Sequence, residues 1–72
     1  MSERDQMTLD MVKNLAVLLS EDTPGISIEQ ALATVINSDT YQRLLDDRTR
    51  LYYQSPRYVY SFLVNELKTG KI

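Results

Sequence analysis

The chain has 72 residues, a net charge of −2 and neither cysteine nor histidine. A domain of this length buries only about 60% of the surface that its unfolded form exposes, so its core stabilises it modestly. The missing cysteines exclude disulfides and thiolate sites, and the missing histidines remove the commonest transition-metal ligand and general base. Association with another chain is therefore the expected route to additional stability.

The first predicted helix runs from about residue 7 to residue 20. Its apolar residues recur at the spacing of one helical face, and they are Met11, Val12, Leu15, Leu18 and Leu19. Asp5 and Thr8 are the candidate N-caps. Pro24 and Gly25 mark the end of the segment, because proline cannot continue a helix and glycine allows the turn.

The second helix is predicted over residues 27–37. Ser27 and Gln30 have the spacing of a capping box, in which each side chain accepts a hydrogen bond from the backbone N–H of the other residue. The apolar residues follow the clearest amphipathic pattern of the chain, and they are Ile28, Ala31, Leu32, Val35 and Ile36. This pattern predicts a helix with one apolar face.

Two more helices are predicted in the remaining half of the chain. A short one spans about residues 39–48, with apolar residues at helical spacing. The last one spans about residues 55–68, because Ser55 is a good N-cap and Pro56 suits the first helical position. Its main apolar stripe, assigned to the core, consists of Val59, Phe62, Leu63 and Leu67.

These elements predict an all-α fold, a compact bundle of three main helices (about 7–20, 27–37 and 55–68) plus a short helix (about 39–48). The whole chain, residues 1–72, is interpreted as a single helical domain. We expect residues 1–6 to fray and residues 70–72 to form a C-terminal tail. A strand at residues 50–53 that pairs with a second chain is the less favoured alternative.

Charge is distributed unevenly along the chain. Residues 1–42 contain seven acids and two bases, a net charge of −5, whereas residues 43–72 contain six bases and three acids, a net charge of +3. Four of the five tyrosines lie in the basic half, and a single stretch of nine residues contains them, at positions 52, 53, 58 and 60. Because tyrosine and arginine are enriched at binding hot spots, this segment is the candidate interaction site.

The candidate interaction residues are Tyr52, Tyr53, Arg57, Tyr58 and Tyr60. On a helix Tyr58 and Tyr60 point about 200° apart, so only one of them can face the core. We expect Tyr60 at the edge of the core, with Tyr53, Arg57 and Tyr58 available to a second chain. The alternative is that these side chains only cover the bundle's own core.

The expected partner is a second copy of the chain or another protein. Nucleic acid is the alternative, since Arg43, Arg48, Arg50 and Arg57 together with the tyrosine cluster would form a basic patch with stacking groups. A sequence pI near 4.9 argues against it. So does the lack of a glycine-bearing turn of helix-turn-helix type between the second and third helices.

The composition does not favour an enzyme, because the residues that most often perform acid–base and nucleophilic chemistry are missing. Asp46 and Asp47 point about 100° apart on a helix and are interpreted as solvated helix-end charges. We expect no metal, no cofactor and no small-molecule substrate. The N-terminal sequence does not have the pattern of a signal peptide, and no apolar run approaches the ~20 residues of a membrane span. A cytoplasmic location is expected.

Three segments carry a resemblance to a known family. They are Ser-Ile-Glu-Gln-Ala-Leu at 27–32, Ser-Asp-Thr-Tyr-Gln-Arg-Leu-Leu at 38–45 and, most specifically, Leu-Tyr-Tyr-Gln-Ser-Pro-Arg-Tyr-Val-Tyr at 51–60. Over roughly residues 7–67 the chain resembles a family of small uncharacterised bacterial all-α proteins, a domain of unknown function whose genes sometimes lie near those of toxin–antitoxin type. The resemblance implies a bacterial, cytosolic protein with a regulatory partner, and it supplies no catalytic residues.

Overall fold

The computed structural model describes residues 2–70, and all the regular secondary structure in this range is helical. The α-helices are α1 (Glu3–Asp22), α2 (Ile28–Ile36), α3 (Asp39–Leu45) and α4 (Pro56–Thr69), and two 3₁₀ turns, Asp47–Thr49 and Leu51–Tyr53, join α3 to α4. Helix α1 packs against the other three helices in a globule of 34 × 23 × 19 Å. The all-α prediction is confirmed. None of these helices combines the length and apolar character needed to cross a membrane.

Helix α1 begins earlier than the sequence pattern predicted. The Ser2 hydroxyl accepts a hydrogen bond of 3.1 Å from the backbone N–H of Asp5, which makes Ser2 the N-cap. Glu3 and Asp5 lie in the first turn, where negative charge complements the helix dipole. The predicted helix start near residue 7 and the choice of Asp5 or Thr8 as cap are therefore wrong, whereas fraying of residues 1–6 stays a prediction. Residue 1 lies outside the described residues.

The predicted bounds of α2 and α4 agree with the structure to within one residue at each end, because both starts depend on local cap chemistry. In the capping box of α2, the Gln30 N–H donates to the Ser27 hydroxyl at 3.1 Å and the Ser27 N–H donates to the Gln30 side chain at 2.9 Å. Ser55 caps α4 and Pro56 occupies its first turn. Gly70 ends α4 with a left-handed φ of 80°. The rest of the predicted tail, residues 71–72, lies outside the described residues.

The third helix is shorter than predicted, since α3 ends at Leu45 and not near residue 48. Asp46 is extended, and its carboxylate accepts hydrogen bonds from the backbone N–H and the guanidinium of Arg48 at 2.8–3.0 Å. These bonds lower the pKa of Asp46 to about 2. Asp46 thus caps a new 3₁₀ turn instead of continuing the helix. Arg50 then adopts a left-handed φ of 54° before the second 3₁₀ turn. Residues 51–53 form that turn, so they are not the strand of the less favoured alternative.

The core lies where the four α-helices and the second 3₁₀ turn meet. Its buried apolar residues are Met11, Val12, Leu15, Ala16, Leu19, Ala31, Val35, Leu44, Leu51, Tyr52, Val59, Tyr60 and Leu63. Val59 and Leu63 are confirmed as core, and Phe62 packs against the core while partly buried. The assignment of Leu67 to the core is wrong. At this level α4 contacts α3 through Glu66, and the next side chain projects about 100° away from that contact.

The carboxylate of Glu66 joins α4 to the start of α3. It accepts hydrogen bonds from the backbone N–H groups of Asp39 (2.8 Å) and Thr40 (2.9 Å) and from the buried Thr40 hydroxyl (2.8 Å). Partial burial raises the pKa of Glu66, but these hydrogen bonds outweigh it and hold the pKa below its ordinary value. The charged Glu66 carboxylate is therefore the acceptor for two backbone N–H groups at the start of α3, which have no acceptor within the helix.

Candidate interaction surfaces

The structure divides the candidate tyrosines into two buried and two exposed rings. Tyr52 and Tyr60 are buried, and each hydroxyl donates to a carboxylate. The Tyr52 hydroxyl bonds Asp47 at 3.0 Å, and the Tyr60 hydroxyl bonds Asp22, the last residue of α1, at 2.7 Å. These two rings belong to the bundle's own core.

Burial and the neighbouring carboxylates keep both buried phenols protonated. Burial, and next the hydrogen bond to Asp22, raise the pKa of Tyr60 to about 12. Burial and the bond to Asp47 also raise the pKa of Tyr52. In return, the Tyr52 hydroxyl lowers the pKa of Asp47, which also lies 3.3 Å from the Arg4 guanidinium. Both tyrosines therefore act as hydrogen-bond donors at neutral pH.

Tyr53 is exposed in the second 3₁₀ turn, and Arg57 and Tyr58 are exposed in the first turn of α4. The residue exposures of Tyr53 and Tyr58 are 63% and 51%. The Tyr53 ring packs against Tyr52 with 4.8 Å between centroids, and Tyr58 meets Phe62 edge to face at 5.1 Å. Neighbouring rings thus hold both tyrosines in place while half or more of each remains open to contact.

Tyr53 and Arg57 border one surface groove between α1 and the start of α4. It consists of two adjoining depressions of about 290 and 440 Å³ that share Asn14 and Pro56. Tyr53 lines the first depression with Met7 and Met11, and Arg57 lines the second. We call this surface the Tyr53–Arg57 groove.

Tyr58 does not line the Tyr53–Arg57 groove. Its edge-to-face partner Phe62 borders a different depression of about 310 Å³, together with Arg43. The predicted trio of Tyr53, Arg57 and Tyr58 is therefore exposed but does not line a single groove.

The four arginines of the predicted basic patch also lie in different surroundings. Arg48 pairs with Asp46 at 2.8 Å. Over residues 2–70, no ion pair involves Arg43, Arg50 or Arg57. Arg43 and Arg57 border separate depressions, so these two arginines do not share one groove.

A third surface, which the sequence analysis did not predict, lies on the apolar face of α2. Along one edge of that face, Ala31 and Val35 are buried in the core. Along the other edge the side chains are exposed, and they are Ile28, Leu32 and Ile36. Leu32 and Ile36 border a groove of about 430 Å³ whose other lining residues are Asp5, Thr8, Leu9, Val12 and Tyr41. We call it the α1–α2 groove. Periodicity defines how wide an apolar face is, but not which edge another element covers.

Three comparisons with known proteins found no relative of this chain. The chain has no significant match to a protein-family model, to a curated protein or to a solved structure.

Proposed function

We propose that this chain is a small, non-enzymatic, bacterial cytoplasmic protein that acts through protein–protein contact at the Tyr53–Arg57 groove. The observation that carries the proposal is the exposure of Tyr53 and Arg57 beside apolar α1 side chains, in a molecule whose core closes without them. Interfaces are enriched in tyrosine, methionine and arginine, the residue types that border this groove.

The chemistry of the groove defines the partner segment that would fit it. Met7, Met11 and Pro56 supply an apolar floor, and methionine adapts its shape to different occupants. Arg57 stands at the other end and forms no ion pair within residues 2–70. The matching partner presents an apolar side chain to Tyr53 and a carboxylate to Arg57.

Photo-crosslinking from position 53 tests this proposal. Replacing Tyr53 with benzoylphenylalanine keeps an aromatic ring at an exposed position, so the fold is expected to survive. On irradiation in bacterial cells we expect one discrete adduct, whose partner is identified by mass spectrometry. With the purified partner, Tyr53→Ala and Arg57→Ala are each expected to weaken binding by at least about tenfold, or 1.4 kcal/mol.

The matched control carries the same photo-reactive residue at Gln42, an exposed position of α3 outside the groove. It is expected to give no discrete adduct. Equal adduct yields at positions 53 and 42, or a partner that binds Tyr53→Ala and wild-type protein equally, would contradict a role for this groove.

Nucleic-acid binding is the second candidate, and the observation that favours it is Arg43 beside Phe62 and the exposed Tyr58 ring. Stacking rings next to an arginine suit single strands. The Asp46 carboxylate, however, already neutralises Arg48. We expect no retention of single-stranded DNA or RNA in a gel-shift assay at low salt, where phosphate contacts are strongest. Retention at micromolar protein that is lost in Arg43→Ala would favour nucleic acid over a protein partner.

A further inference from the structure

Helix α2 exposes a row of large apolar side chains along one edge. Ile28, Leu32 and Ile36 are spaced by four residues, which aligns them along the helix, and their exposures are 48%, 36% and 44%. Exposed Leu9 of α1 lies beside the row in the α1–α2 groove. Isolated apolar residues are normal on a surface, but a continuous apolar patch marks a contact site.

This surface has very little charge. Glu29 is the only charged residue of α2, and Asp5 is the only charged residue that lines the groove. Interface centres are depleted of charge in the same way. A partner recognised through opposite charge would find few groups to pair with here, whereas a second uncharged apolar surface would fit.

The row is symmetric about Leu32, because isoleucine stands four residues before it and four residues after it. In a twofold-symmetric dimer with antiparallel α2 helices, Leu32 meets its own copy at the axis and Ile28 meets Ile36 of the second copy. A second copy of this chain therefore offers the matching apolar row by symmetry. Antiparallel packing also opposes the two helix dipoles favourably.

The area that a dimer needs determines how far the contact must extend. A standard interface takes about 800 Å² from each partner, out of an accessible surface of 4787 Å² here. Nine-residue α2 helices overlap over only about 13.5 Å, so α2 alone is too short and Leu9 and the groove must take part. A small domain also gains stability from such burial, since its own core is small.

We propose that the chain forms a symmetric homodimer in which the α2 row of one copy covers the α2 row and the α1–α2 groove of the other. This inference rests on the proposed function, contact between proteins, and assigns a second surface and its occupant. The dimer leaves the Tyr53–Arg57 groove free for the other partner.

Charge substitution at Leu32 tests the dimer. Light scattering after size exclusion, across a concentration series, is expected to show the mass of the wild-type chain rising from 8.3 kDa to twice that value. Leu32→Glu and Leu32→Lys place like charges against each other at the axis, and each is expected to stay monomeric. An equimolar mixture of the two variants is expected to restore the dimer, because opposite charges then meet.

The matched control is Leu67→Glu, which puts the same charge at an exposed apolar position of α4 outside both the α1–α2 groove and the Tyr53–Arg57 groove. It is expected to dimerise like the wild type. Circular dichroism verifies the fold of each variant, and Ile36→Glu gives the same readout if Leu32→Glu does not fold. A wild-type protein that stays at 8.3 kDa throughout, or a folded Leu32→Glu protein that still dimerises, would overturn the inference.

The position-53 crosslink separates this inference from the proposed function. If Leu32→Glu is monomeric and position 53 still captures its partner, the two surfaces act independently, as proposed. If the wild type is monomeric while a crosslinker at position 32 captures a different protein, the α2 row belongs to a heterologous partner and the homodimer is refuted. The Tyr53–Arg57 groove would keep its own test in that case.

Discussion

Leu63→Ala is expected to lower the free energy of unfolding by about 2–5 kcal/mol, enough to unfold much of a domain whose core supplies only ~3–5 kcal/mol. Leu63 is fully buried, so the truncation removes apolar contacts and leaves a cavity. Urea unfolding followed by circular dichroism measures the loss. Leu63→Met keeps the volume and is expected to cost less than about 1.5 kcal/mol, so it remains measurable if the alanine variant is unfolded.

Leu67→Ala is the matched control, with the same substitution one turn later on the same helix. Leu67 is 50% exposed, and its truncation is expected to change stability by less than about 0.5 kcal/mol. Similar losses at the two positions would mean that the whole apolar stripe of α4 is buried, as the sequence alone suggested.

Glu66→Gln is expected to lower the free energy of unfolding at neutral pH by about 1.5–3 kcal/mol, the range for hydrogen bonds to a charged group. The substitution keeps the size of the side chain but removes the charge that the Asp39 and Thr40 donors face. Urea unfolding of both proteins measures the difference. Glu21→Gln, at an exposed position of the last turn of α1, is the control and is expected to change stability by less than about 0.5 kcal/mol.

The difference between wild type and Glu66→Gln is expected to depend on pH with a defined sign. The folded protein lowers the pKa of Glu66, so the carboxylate stabilises the fold fully above its unfolded pKa of about 4.3. That contribution is lost as the pH falls through the lower folded value. Other carboxylates titrate in both proteins and cancel in the difference. A difference that stays constant from neutral pH to pH 3 would contradict the charged hydrogen bonds of Glu66.

Elements whose ends depend on local side chains were predictable from the sequence. Ser27 with Gln30 and Ser55 with Pro56 define helix starts through neighbouring backbone groups, and both starts appear as predicted. The start of α1 was missed because its cap, Ser2, lies nine residues before the first residue of the apolar stripe. The end of α3 was missed because an aspartate at position 46 suits both a helix end and a new cap.

Which apolar edge becomes surface was not predictable, because it depends on how the helices pack. Leu67 and Leu32 belong to regular stripes, yet the packing leaves them open. Helical geometry did predict that Tyr58 and Tyr60 cannot both face the core, and Tyr60 is the buried one. Tyr52 and Tyr53 precede α4 in a 3₁₀ turn, so no helical period could distinguish the buried ring from the exposed one.

The carboxylate cap of α3 has a consequence for how the molecule opens to solvent. Helices as short as the seven-residue α3 are not stable in isolation. The backbone N–H groups of Asp39 and Thr40 are held by a residue 26 to 27 positions further along the chain, so they lose their acceptor when α4 moves away. We therefore expect α3 and α4 to behave as one cooperative unit of local unfolding. The amide protons at the start of α3 are then expected to exchange with solvent faster in variants that loosen α4.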